Sequence, residues 1–312
     1  MIANTAANMA SDKDALLARF GLSESDLIGA GGESRVYAMG PDRVLRIRNR
    51  AGDTAYLKRL QRFLAGIAGT LPFATPSIAT VAPDGAWTIE PRLPGQPMSA
   101  LLRRIGGTDR RTAFANFVAG LDAIGTIALP DKPFGHLLAP SPVVSDNWRA
   151  FARATLSRFA DANRDTVARE IGDPEALLAR AGAMIADLPE SPDRVLVHGD
   201  CFPGNVLLDN RLEVSAVIDF GVFTLAGDAL LDGAVACLTL ETMEECGAED
   251  VAFVRGLIAR RHGGRFEATM RFCRAWLALS MADPANAAPP YPRLYDWSLA
   301  QLRLLAADRL PA

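Results

Sequence analysis

The sequence predicts an α+β protein of two lobes, an N-terminal antiparallel sheet carrying one main helix and a mainly helical remainder. Three observations predict it. At 312 residues the chain exceeds the roughly 100–200 residues of one ordinary domain. Apolar residues follow strand-like spacing in much of the first ninety positions and helical spacing in most of the later ones. Between them Pro91, Pro94, Gly95 and Pro97 interrupt any regular element and read as a hinge. The expected lobes are therefore residues 1–92 and 93–312.

Asp12 to Phe20 carries Ala15, Leu16, Leu17 and Phe20 before Gly21, the pattern of a short amphipathic helix with a glycine stop. Ser34 to Met39 and Val44 to Ile47 read as strands joined by the Gly40-Pro41-Asp42 turn. In Thr54 to Ala68 the residues Leu57, Leu60, Phe63, Leu64 and Ile67 form one helical stripe among Lys58, Arg59 and Arg62. Two further strands, Ser77 to Val81 and Ala86 to Ile89, flank Pro83-Asp84-Gly85. Helical spacing then runs through Arg111 to Ile127, Trp148 to Asp161, Pro174 to Leu188, Ala248 to Arg261, Phe266 to Ala282 and Tyr295 to Leu310. One patch differs: Val195 to Val197, Val206 to Leu208 and Val214 to Ile218 are short β-branched runs joined by turns, with polar residues at their ends.

Hydrophobic residues at 49% and charged residues at 22% are those of an ordinary globular chain. A net charge of −3 supplies no global field for nucleic acid or anionic lipid. No apolar run approaches the roughly 20 residues of a membrane span, and Met1 to Asp14 lacks the order of a signal peptide. The expectation is a cytoplasmic protein without nucleic-acid or membrane partners. Cys201, Cys237, Cys246 and Cys273 show no CxxC spacing and read as reduced thiols, and His136, His198 and His262 have no partner at zinc-ligand spacing.

The chemistry concentrates in His198-Gly199-Asp200-Cys201-Phe202-Pro203-Gly204-Asn205 and in Asp219-Phe220-Gly221 at the end of the last β-branched run. Phosphoryl transfer requires this combination. A carboxylate orients the attacking hydroxyl and receives its proton, while Asn and Asp oxygens hold magnesium against the phosphates. The Asp-x4-Asn interval and the later Asp-Phe-Gly match the spacing of protein-kinase catalytic and metal-binding loops.

At these residues the chain resembles the aminoglycoside phosphotransferase family, within the kinase-like superfamily that includes choline, homoserine and macrolide kinases. His198-Gly199-Asp200 with Asn205 looks like its catalytic loop, Val217 to Gly221 like its metal loop, and Gly227-Asp228 with Asp232 like the acidic segment bracing both. Gly31-Gly32-Glu33-Ser34-Arg35-Val36-Tyr37 resembles the phosphate-covering loop, and Arg92-Leu93-Pro94-Gly95 the hinge. The resemblance implies a bilobal protein-kinase-like fold. Residues 1–92 would bind ATP or GTP, and 93–312 would carry catalysis and a small-molecule hydroxyl acceptor. It implies Asp200 as catalytic base, Asn205 and Asp219 as Mg2+ ligands, Gly31, Gly32, Ser34 and Arg46 at the phosphates, and backbone near Pro91 and Leu93 at the base.

Two departures stand out. Arg46 occupies the place of the family's phosphate-binding lysine, and no glutamate lies between Asp53 and Glu90, where the following helix should offer one to hold that cation. These departures motivate a second reading, a nucleotide-binding pseudokinase that acts through interactions. His198 reads as a structural residue bonded to backbone near Asp219 in preference to a base, and Cys201 as no nucleophile. Asp228 and Asp232, four residues apart, would share a helix face in a bracing role. Glu241, Glu244, Glu245, Glu249 and Asp250 would suit a cationic acceptor, although a solvated helix face is the preferred reading, as it is for Arg255, Arg260, Arg261 and Arg265.

Overall fold

The computed structural model describes residues 13–32, 34–49, 53–288 and 292–311. Asp12, at the expected start of the first helix, and Glu33, in the glycine loop, lie outside the described residues. The chain divides into two compact units, one ending at Gly69 and resumed by Ala74–Leu93, the other formed by Thr70–Phe73 and everything from Pro94 onward.

The first unit is a five-stranded antiparallel sheet in the order β1-β2-β3-β5-β4. Its strands are β1 (Leu27–Ala30), β2 (Ser34–Met39), β3 (Arg43–Arg48), β4 (Thr80–Val81) and β5 (Trp87–Pro91). Helix α1 covers residues 13–19, and α2 spans Thr54–Ile67, with the Asp53 carboxylate accepting from the Ala55 N–H at its start. Strand alternation sets the core. Leu45 and Ile47 of β3 are buried with Leu17 and Tyr37, and Phe20, Leu22 and Trp87 pack around them. Arg46, between two core residues, points to the other face.

The second unit holds two small sheets among helices. Strands β11 (Val214–Val217), β10 (Val206–Leu208) and β6 (Gln96–Pro97) form one; β8 (Val144–Ser145), β7 (Phe134–His136), β12 (Leu225–Gly227) and β9 (Val195–Val197) form the other. The helices are α3 (Met98–Leu102), α4 (Gly107–Ile124), α5 (Trp148–Ala162), α6 (Arg164–Glu170), α7 (Pro174–Ala183), α8 (Leu230–Leu240), α9 (Ala248–His262), α10 (Gly264–Met281) and α11 (Pro292–Ala306). Among the described residues no helix is long and apolar enough to cross a membrane.

Several differences from the sequence reading have local causes. The expected strand at Ser77 shrinks to β4, because only Thr80 and Val81 pair with β5. Helix α8 has no amphipathic pattern in the sequence because ten of its residues, Leu230 to Leu238 and Leu240, are buried, so no polar face alternates with an apolar one. Asp228 precedes that helix and does not share a face with Asp232, since its carboxylate accepts from the Leu230 N–H at the helix start. At the start of the second unit Gly95 is required by geometry. Its φ is +102°, and a Cβ there would lie 2.2 Å from Ser215 Oγ and 2.8 Å from the Leu208 carbonyl.

Candidate active site

The two sequence motifs of the second unit are stitched into one structure. Strand β9 delivers His198, Gly199 and Asp200 at its end; Asn205 begins the return into β10, and β10 pairs with β11 through Val206 and Val217. The Ile218 N–H donates to the Asn205 carbonyl at 2.9 Å, so Asn205 lies beside the residue preceding Asp219. The Asn205 amide nitrogen donates to the Asp200 carbonyl at 2.8 Å and reaches the Asp200 carboxylate at 3.3 Å. With its nitrogen committed to Asp200, the Asn205 amide keeps its oxygen as an acceptor for a cation.

His198 fastens the loops from below. Its Nδ1 accepts from the Asp200 N–H at 3.2 Å, and its Nε2 lies 2.9 Å from the Ile218 carbonyl. A ring that accepts at Nδ1 and faces a carbonyl at Nε2 is the neutral Nε2–H tautomer. Burial lowers its pKa below the ordinary 6.5, and its ring centroid sits 4.5 Å from that of Phe220. The role is structural, with the backbone partner adjacent to Asp219.

Asp232, in the first turn of α8, accepts from the His198 and Gly199 N–H groups, both at 2.8 Å. Burial raises its pKa, while the two N–H donors favour the carboxylate. Removing it would orphan two buried donors at about 1–3 kcal/mol each. Gly199 has φ +79°, and a Cβ there would meet the Phe223 carbonyl at 2.2 Å, so the chain crosses at this point only as glycine. Thr224 Oγ1 completes the brace, accepting from the Gly221 N–H at 2.9 Å and donating to the His198 carbonyl at 3.3 Å.

Asp219 adopts φ +68°, the left-handed region that Asp tolerates better than most residues, though still at a cost. It is exposed at the mouth of the loop. Such strain at a chemically competent residue, held by bonded neighbours on both sides, is a mark of a functional site. Cys201 is buried and its thiol is pushed well above the ordinary range by burial, which makes it a poor nucleophile.

Within the first unit, the glycine loop closes through a bond from the Gly31 N–H to the Ser34 carbonyl at 2.9 Å. Asn49, which the sequence reading passed over, donates to the Gly31 and Gly32 carbonyls at 3.1 and 2.9 Å. A Cβ at Gly31 would meet nothing within 4 Å and its φ is not positive, so nothing in the described fold demands glycine there. Its N–H is engaged in the turn. Ser34 is buried, and its Oγ accepts from Arg46 Nη1 at 3.1 Å. Arg46 Nε donates to Glu90 Oε1 at 3.1 Å. The acid sought in the helix after Arg46 is thus supplied by β5, and Asp53 is occupied as the α2 cap. Pro91 ends β5 opposite Arg43, and Leu93 is half-buried at the end of this unit.

The acidic run after α8 is drawn into ion pairs. Glu241 accepts two 2.7 Å bonds from Arg274 and one of 2.9 Å from Trp297 Nε1. Glu245 pairs with Arg103 and Asp250 with Arg110, while Glu244 lies 3.7 Å from Arg293. Three of the arginines read as a solvated face are also paired. Arg265 reaches both Asp228 oxygens at 2.9 Å, Arg255 meets Glu267 and Arg261 meets Asp122. These ion pairs tie neighbouring elements of the second unit to one another.

A family model, the phosphotransferase enzyme family, matches residues 26–276. The chain belongs to the phosphotransferase enzyme family. A search of curated proteins found no match. Among solved structures, this phosphotransferase is similar to a thermostable mutant of aminoglycoside phosphotransferase APH(4)-Ia in a ternary complex with ADP and hygromycin B. The TM-score is 0.66 at 20% identity, over 96% of this chain and 99% of that one. It is similar to macrolide 2'-phosphotransferase type I, with a TM-score of 0.58 at 22% identity over 97% of each chain. For the gentamicin complex of APH(2")-IIa the TM-score is 0.61 at 15% identity, over 89% and 92%. These are likenesses of fold, and they agree with the α+β architecture read from the sequence.

The neutral histidines of this phosphotransferase give its stability a pH dependence. Burial lowers the pKa of His198 and of His136, whose Nδ1 accepts from the Val143 N–H. The unfolded chain takes up these protons near the ordinary 6.5, the folded chain only at lower pH. The unfolded state therefore binds more protons in that window, and stability rises with pH through it. Denaturant titrations should give an unfolding free energy that falls from about pH 7 toward pH 5, and that falls again above about pH 8, where the thiols of the unfolded chain ionise while those of Cys201, Cys237 and Cys273 are kept protonated by burial. A profile that stays flat through the acid range would contradict the neutral assignment.

Proposed function

We propose that this phosphotransferase moves the γ-phosphoryl group of ATP or GTP to a hydroxyl of a small molecule, an aminoglycoside-like antibiotic or a metabolite. The observation that carries the reading is the Asn205 side chain. Its nitrogen is bonded to Asp200 and its backbone to Ile218, so the base, the amide and Asp219 occupy two turns held to each other.

In this reading Asp200 accepts the proton of the acceptor hydroxyl as its oxygen bonds to the γ-phosphorus. The bond from that phosphorus to the bridging oxygen breaks, and the nucleoside diphosphate leaves with the electron pair. The fixed Asn205–Asp200 bond supports this role, because a base must be oriented before the proton moves. Asn205 and Asp219 offer one amide and one carboxylate oxygen, hard donors suited to magnesium, which takes few protein ligands and fills its shell with water and phosphate. Among the described residues no group of three or more His, Cys, Asp or Glu is placed to hold a metal alone, which fits a cation recruited with the nucleotide. Bound there, magnesium would neutralise phosphate charge and orient the transferring group. Gly31, Gly32, Ser34 and Arg46 contact the phosphates, and backbone at Pro91 and Leu93 meets the base.

The acceptor is identified by screening antibiotics and metabolites bearing free hydroxyls for acceptor-dependent release of ADP or GDP, with a product heavier by one phosphoryl group. Nucleotide binding without turnover across such a panel would instead favour the pseudokinase reading. A chain that binds neither ATP nor GTP with magnesium would remove both.

A further inference from the structure

Resting on the reading of Arg46 as a phosphate-binding cation, we infer that Glu90 is the residue that positions it. The aligning acid comes from a neighbouring strand of the sheet and not from the helix that follows. Strand pairing places it there. Arg46 faces Thr88 and Val44 faces Glu90 across β3 and β5, so by strand alternation all four side chains share one face. Helix α2 carries no acid, and the Asp53 carboxylate before it is taken by the Ala55 N–H.

Glu90 is itself fixed. Its side chain is 9% exposed, and its Oε1 accepts from Thr88 Oγ1 at 2.6 Å and from Arg46 Nε at 3.1 Å. Ser34 accepts from Arg46 Nη1 at 3.1 Å. Bonds at two nitrogens fix the plane of a guanidinium, whereas a lysine would meet the same acid through a freely rotating ammonium. Because Ser34 directly follows the glycine loop, the same network ties the cation to that loop. A sunken ion pair is a poor source of stability, since apolar residues of similar size fill such space as well or better. Orientation of a cation for an incoming anion is a use that apolar residues cannot serve.

The test is calorimetric titration of the full chain with a non-hydrolysable triphosphate analogue plus magnesium and, separately, with the parent nucleoside, which lacks phosphates. For Glu90→Gln the triphosphate affinity should fall about tenfold, or 1.4 kcal/mol, with nucleoside affinity unchanged. Arg46→Ala should lose at least as much, and the double variant should be no weaker than Arg46→Ala alone. Should Glu90→Gln not fold, Thr88→Val loosens the same carboxylate and should weaken triphosphate binding about threefold, the low end for one lost hydrogen bond. Wild-type triphosphate affinity in Glu90→Gln or, where that variant does not fold, in Thr88→Val, or losses that simply add in the double variant, would overturn the inference alone. Absence of triphosphate binding by the wild-type chain would overturn it together with the proposed function.

Discussion

Replacing Asp200 with alanine should lower turnover by about 10³-fold, within the range for a positioned general base, while nucleotide affinity stays within a few-fold of wild type. In the proposed reaction the carboxylate would accept the hydroxyl proton, a role needed in the transition state and not in nucleotide binding. The loop should survive the change. Its closures run through the His198 and Gly199 N–H groups to Asp232 and through His198 to Ile218, and the Asn205 amide retains its 2.8 Å bond to the residue 200 carbonyl. A fall in kcat without a matching rise in KM for nucleotide is the expected signature. Turnover within a factor of a few of wild type would contradict the assignment.

Asp219 should respond differently, because its backbone and its carboxylate make separate demands. With φ at +68° the position is strained for any residue but glycine, while the proposed chemistry requires the side chain. Asp219→Gly should therefore be more stable than Asp219→Ala by about 1 kcal/mol, the usual margin in the left-handed region. Both should weaken magnesium-dependent nucleotide binding at least about tenfold, the scale for losing a charged ligand interaction, and both should lose turnover. Thermal melts of the two variants read the first effect and titrations with and without magnesium read the second. Magnesium-dependent affinity retained in the glycine variant would remove Asp219 from the metal site.

What was legible in the sequence was what is local in it. Asp200 and Asn205 lie in one turn and Asp219 follows one strand, so their spacing already encodes their neighbourhood. Strand alternation placed Arg46 away from Leu45 and Ile47. Glu90 gave no signal because its relation to Arg46 exists only through the pairing of β3 with β5, 44 residues apart along the chain, and not through the helix that follows Arg46. Asn49 gave no signal for the same reason, since its bonds to Gly31 and Gly32 cross two strands. Helix α8 was hidden by its own burial, and with it the different duties of Asp228, tied to Leu230 and Arg265, and Asp232, tied to His198 and Gly199. The acidic run after α8 read as a solvated face because the sequence does not show which arginines of other elements pair with it.

The most direct measurement is a structure of the chain with magnesium and a non-hydrolysable nucleoside triphosphate. One cation should touch Asn205, Asp219 and the phosphate chain, with the Asp200 carboxylate facing the same terminal phosphate. A triphosphate bound elsewhere, or carboxylates of Asp200 and Asp219 turned to different surfaces around it, would contradict the proposed phosphoryl transfer.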